Sequence, residues 1–250
     1  MKLRHSLFAI GLTALAGVAC GAGEAPGHGT HWGYAGEVGP ERWSTLKPEF
    51  GACAGMNQSP INVTDTVEAE LAAIGFEYKA GGREVINNGH AIQVNYEPGS
   101  SISVDGIQFD LKQFHFHSPS ENHINGKSFP LEAHLVHADK DGRLAVVAVL
   151  FDEGEANPIV GTAWRQIPKG KGEKNALPAK VSATGLLPAS HDYYRYNGSL
   201  TTPPCSEGVR WIVMKAPMTV SREQISAFTS TLGFANNRPI QAVNARSVLK

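Results

Sequence analysis

One segment constrains this chain more than any other: Gln113-Phe114-His115-Phe116-His117. Aromatic and imidazole residues alternate in it, and a period of two belongs to a strand, whose successive side chains point to opposite faces. Gln113, His115 and His117 therefore share one face, and Phe114 and Phe116 share the other, which suggests a buried outer face. Two imidazoles at i and i+2 project side by side, as two ligands of one metal do. Alone, His-x-His on a strand is more often a surface pair than a metal site. A second segment, Leu131 to His137, sets Glu132, His134 and Val136 on one face. Sixteen residues separate His117 from His134, enough for a loop and a return to a nearby strand. A third imidazole arriving there would complete a His₃ site. Three neutral ligands and one open position describe a catalytic zinc site rather than a closed structural one. Gln113 and Glu132 are placed to hold ligand N–H groups and so fix the tautomers. His137 faces away from His134 and reads as structural. His5 falls in the leader, and His28, His31, His123 and His191 have no assigned role.

The rest of the chain is mostly short strands. Ile102–Val104, Asp105-Gly106 and Ile107–Leu111 read as a hairpin with a two-residue turn. Ile92, Val94 and Tyr96 alternate with polar residues, as do Val209, Trp211 and Val213. Leu144 to Phe151 is a continuous apolar run, fit for a strand covered on both faces. Ser221 and Gln224 form a capping-box pattern, with Ile225, Phe228 and Leu232 following at helical spacing. Asn157-Pro158 marks a second, shorter helix. The pattern predicts a β-rich α+β chain: a single domain with a few peripheral helices. A net charge of −1 supplies no basic footprint for nucleic acid. No internal apolar run reaches the 18 or so residues a transmembrane helix needs.

The N-terminus reads as a leader. Lys2 and Arg4 precede an apolar stretch from Leu7 to Ala19 that closes on small residues. The expected division is a signal peptide over 1–19 with cleavage extending as far as about 22, a flexible segment over 20–30, and one domain over 31–250. Export makes the protein periplasmic or secreted; lipid anchoring at Cys20 is the minority alternative. In an oxidising compartment Cys53 and Cys205 suit one disulfide, with two buried thiols as the alternative.

The residues also resemble a known family. His31-Trp32-Gly33-Tyr34, Gln58 to Asn62, Asn87-Asn88-Gly89-His90, Gln113 to His117, Glu132-Ala133-His134, Ser199 to Pro204 and Asn236-Asn237-Arg238-Pro239 appear in order. Together they resemble α-class carbonic anhydrases, most closely the exported bacterial type. The resemblance implies a central, mostly antiparallel ten-stranded twisted sheet with a conical cavity. It implies zinc on His115, His117 and His134, and reversible hydration of carbon dioxide to bicarbonate by zinc-bound hydroxide. Thr201 would donate to Glu121 and orient the nucleophile, and His90 would shuttle protons. Gln113, Glu132 and Asn236 would support the ligands. Val136, Val146, Leu200, Thr202, Val209 and Trp211 would wall the substrate pocket, and Tyr34, Asn88 and Gln93 would sit in its water network. A Cys53–Cys205 bridge would brace the Thr201 loop. Anions and sulfonamides are the inhibitors implied, and the oligomeric state, monomer or dimer, stays open.

Overall fold

The computed structural model describes residues 31–250. The expected leader, its cleavage region, Cys20, and His5 and His28 lie outside the described residues. The strands are β1 (Asn62–Val63), β2 (Gly75–Glu77), β3 (Ala80–Asn87), β4 (Ile92–Tyr96), β5 (Ser101–Val104), β6 (Ile107–His117) and β7 (His123–Ile124), then β8 (Leu131–Ala138), β9 (Leu144–Glu153), β10 (Lys174–Ser182), β11 (Tyr193–Ser199), β12 (Glu207–Met214) and β13 (Met218–Val220). The α-helices are α1 (Trp43–Leu46), α2 (Pro158–Trp164) and α3 (Arg222–Leu232).

β1 and β7 form a parallel pair, and the other eleven strands form one sheet. Its main path runs β10-β3-β4-β6-β8-β9-β12-β11, with β5 joining β2 to β6 and β13 beside β9. Most pairings are antiparallel; β9 with β12 and with β13 are the parallel ones in this sheet. Among the described residues this sheet has eleven strands rather than the expected ten, and two of the marginal ones, β2 and β13, have three residues each.

The expected hairpin forms between β5 and β6. Asp105 and Gly106 both take positive φ, at 52° and 73°. That is the two-residue geometry whose twist matches the flanking strands.

Packing explains the rest. One face of the sheet carries the larger core, with Phe114, Phe116, Leu135, Val147 and Ile212, and against it lie Val160, Trp164 and Phe228 of the two longer helices. Burying each phenylalanine there contributes on the order of 2 kcal/mol. The other face carries Val146, Ala148, Leu150, Val209 and Trp211. β9 serves both cores, which is why Leu144–Phe151 is apolar throughout.

A local irregularity in β6 decides which side its histidines face. Phe109 and Leu111 face the larger core, and so do Phe114 and Phe116. Strict alternation from Leu111 would instead drive Gln113, His115 and His117 into that core. The β6–β8 register shifts between Leu111 and Gln113, and this bulge resets the phase. The helices are capped as the sequence predicts. Asn157 accepts from the Ile159 and Val160 N–H groups at the start of α2, and Ser221 and Gln224 form the reciprocal cap of α3.

Candidate active site

The bulged β6 and its partner β8 bring three imidazoles together. His115 pairs with His134 across the two strands, and His117 lies one alternation further along. One ring nitrogen from each of His115, His117 and His134 falls within 4.8 Å of the others. His117 and His134 are almost fully buried, at 1% exposure each.

The opposite nitrogens are all engaged. His115 Nδ1 meets Gln113 Oε1 at 2.9 Å, His117 Nδ1 meets the Asn236 carbonyl at 2.7 Å, and His134 Nε2 meets Glu132 Oε1 at 2.9 Å. Each of these partners is an acceptor, so each imidazole donates there and keeps a lone pair on its inward nitrogen. Burial, the largest cause for all three, holds their pKa values below the usual histidine range. His117 Nε2 is buried with no hydrogen-bond partner among the described residues. Three neutral bases, oriented and converging with one nitrogen orphaned, are a donor set that fits a borderline-soft divalent cation.

Two buried carboxylates flank the cluster. Glu132 accepts four hydrogen bonds: from the N–H groups of Glu121 and Asn122, from Asn122 Nδ2 and from His134. Glu121 Oε1 accepts the Arg238 N–H at 2.8 Å. Glu121 Oε2 stands 3.5 Å from His117 Nε2 and has no hydrogen-bond partner among the described residues. Burial raises the Glu121 pKa well above the ordinary value; the Arg238 N–H and the nearby Thr201 hydroxyl oppose that rise without cancelling it.

The imidazoles open onto a cavity of about 210 Å³ whose lining includes the apolar Val136, Val146, Leu200 and Trp211, the polar Tyr34, Asn88, His90, Gln93, Gln113, Thr201 and Thr202, and Trp32. Val209 is buried in the core it shares with Val146 and Trp211, two residues that line the cavity. Asn88 Oδ1 accepts the N–H groups of His90 and Ala91 and so builds the turn that presents His90. His90 is half-buried, and burial, then His31 and Lys171, push its pKa down to about 4. The Tyr34 hydroxyl is buried and has no partner among the described residues.

The Thr201 loop is tied at several points. The Leu200 N–H donates to the Ser206 carbonyl and the Cys205 N–H to the Thr202 carbonyl. Cys53 and Cys205 form the expected disulfide.

Sequence reasoning gave Arg238 no role. Its guanidinium is buried and donates to Gln58 Oε1 and to the carbonyls of Ser59 and Cys53. It thereby links the disulfide to the peptide N–H that holds Glu121. No periodicity announces such a residue; the Asn-Asn-Arg-Pro run was its only trace.

Comparison with known proteins places the chain among relatives. It matches the eukaryotic-type carbonic anhydrase family over residues 38–250. It is 50% identical over 220 residues to a carbonic anhydrase of Pectobacterium carotovorum, covering 88% of this chain and 90% of the relative. It is 48% identical over 243 residues to one of Neisseria gonorrhoeae, covering 96% of each. The α-carbonic anhydrase of Thermovibrio ammonificans, solved with the inhibitor sulfanilamide, superposes with a TM-score of 0.87 at 52% identity, covering 89% of this chain and all of that one.

Proposed function

This chain belongs to the eukaryotic-type carbonic anhydrase family, and on that premise we propose that it is an exported zinc enzyme hydrating carbon dioxide reversibly to bicarbonate and a proton. One observation carries the reading: three imidazoles, those of His117 and His134 buried and that of His115 half-buried, are each held by an acceptor through one nitrogen and converge their other nitrogens at the cavity. His115, His117 and His134 would hold the zinc. When bound, zinc supplies a Lewis acid that makes hydroxide available from water near neutral pH, a general effect whose standard example is carbonic anhydrase itself.

The remaining chemistry belongs to the chain's own residues. Carbon dioxide is weakly electrophilic and water is a poor nucleophile, so the attacking oxygen must be oriented. Thr201 would do this by donating its hydroxyl proton to Glu121 Oε2, which has no other partner among the described residues, and its own oxygen would then accept only from the nucleophile. The Thr201 N–H steadies a substrate oxygen as charge develops on it. Val136, Val146, Leu200 and Trp211 form an apolar wall that favours a small uncharged substrate over water. His90, on the same cavity, takes up the product proton. Anions and sulfonamides would compete for the open position, a reading supported by the sulfanilamide complex of the Thermovibrio relative. The buried disulfide supports an oxidising compartment.

The test is stopped-flow carbon dioxide hydration before and after zinc removal. Activity lost on chelation and restored by zinc is expected. A folded, zinc-loaded protein without hydration activity would overturn the proposal.

A further inference from the structure

His90 does not stand alone at the cavity mouth. Its ring stacks on Trp32 at 3.7 Å between centroids and 11° between planes. A second imidazole, His31, stacks on it at 5.1 Å and 23°. No group among the described residues hydrogen-bonds the His90 ring, so its nitrogens are free to exchange protons. His90 lines both the inner cavity and a separate outer groove; His31 lines the outer groove alone. The two rings thus form a series from the metal-side cavity to the surface.

Lys171 completes the cluster. Its ammonium donates to His31 Nε2 at 2.8 Å. Its stem lies across Gly89, where an added Cβ would fall 2.5 Å from it. Gly89 also holds a φ of +86°, so glycine is required twice over: for the turn and for the lysine's passage. The sequence puts these residues on the Asn87–His90 turn, the segment at His31 and the loop before β10, three elements that meet only in the fold.

We propose that His31 acts in series with His90 as the outer station of a two-imidazole proton relay, with Lys171 as its latch. This rests on the reading that protons leave through His90. His90 takes the product proton from cavity water and becomes an imidazolium. Because stacked rings point their N–H groups past each other, it passes that proton through a bridging water to His31 Nε2 as the Lys171 ammonium swings off. His31 then gives the proton to a buffer base in the outer groove, and Lys171 returns; no net charge stays on the protein. The depressed basicity of His90 supports this order, because a proton there is held weakly beside a solvent-exposed acceptor.

The experiment uses the zinc-loaded chain in weak, non-imidazole buffer, comparing wild type with His31→Ala, His90→Ala and the double variant. On the proposed reading, proton transfer limits kcat in weak buffer while hydration sets kcat/KM. His31→Ala should therefore lower kcat by about tenfold or less, leave kcat/KM unchanged, and recover with added imidazole. Stations in series predict a double variant no slower than His90→Ala. By NMR titration, His90 should also protonate at a higher pH in His31→Ala than in wild type. Wild-type kcat in His31→Ala, a double variant slowed by the product of the two single effects, or an unmoved His90 midpoint would each overturn the relay. If His90→Ala falls and His31→Ala does not, the relay fails and the single shuttle stands. If His90→Ala itself keeps full kcat, the shuttle reading fails and the relay with it.

Discussion

Glu132 illustrates how much one side chain decides. Its four partners all donate, two to each oxygen. The Asn122 amide cannot be turned to oblige otherwise, because its oxygen already accepts from the Ile61 N–H and the Tyr196 hydroxyl. Burial raises the Glu132 pKa, but a site made only of donors demands an ionised carboxylate at neutral pH. Glutamine at this position keeps the size and loses the charge. Worse, its amide nitrogen must face N–H donors and leave them unpaired in the interior. On the proposed reading, Glu132→Gln also frees His134 from the acceptor that fixes its tautomer. Zinc affinity should fall by about 10- to 100-fold, measured by competition with a chelator. An unchanged affinity would remove Glu132 from the support of the metal site.

At the scale of the strand, β8 divides two environments. Glu132, His134 and Val136 serve the cavity side, while Leu131, Ala133, Leu135 and His137 face the larger core or lie buried beside it. His137 is fully buried; Tyr78 Oη lies 2.8 Å from its Nε2, and its Nδ1 is 3.2 Å from the Ala145 carbonyl. Nδ1 donates to the carbonyl, so Nε2 accepts from the tyrosine and the ring is neutral. Burial pushes its pKa down to about 4, against an unfolded value of about 6.5. Between these two pH values the unfolded chain binds a proton the folded chain lacks, so stability falls on acidification; below the lower value it levels off. One proton gives a slope of about 1.4 kcal/mol per pH unit. His137→Gln preserves an acceptor for Tyr78 and removes the titration. Urea denaturation from pH 7 to pH 4 should therefore show a shallower loss of stability in the variant, and parallel curves would refute the assignment. The alternation that separates His134 from His137 was legible in the sequence, as were the hairpin, β9 and both helix caps, because period and capping chemistry are local. The β6 bulge was not read, since adjacent polar residues such as Lys112 and Gln113 signal a phase change only once a partner strand is known. Arg238 escaped for a related reason: its partners lie up to 185 residues away.

Across the whole molecule, the candidate site depends on two supports of different kinds. The three imidazoles ride on β6 and β8, in the middle of the sheet, where strands pair with His115 and His134 on both sides and with His117 on one. Thr201 and Glu121 are held by loops, and the loops converge on one covalent link. Cys205 lies four residues beyond Thr201, and its N–H donates to the Thr202 carbonyl. The Cys53 carbonyl accepts from Arg238, whose own N–H holds Glu121. The disulfide between them spans 152 residues of sequence. In the chain-entropy account such a link contributes on the order of 4–5 kcal/mol by restricting the unfolded chain. Replacing both cysteines by serine should therefore lower the urea midpoint substantially. Under native conditions it should also separate the two supports. Zinc content should hold, because the sheet is untouched, while kcat/KM falls as Thr201 and Glu121 lose their fixed relation. Metal analysis beside stopped-flow hydration on the folded double variant makes the comparison. Zinc lost in step with activity would mean that the disulfide supports the metal site itself, and that the sheet does not hold the three histidines on its own.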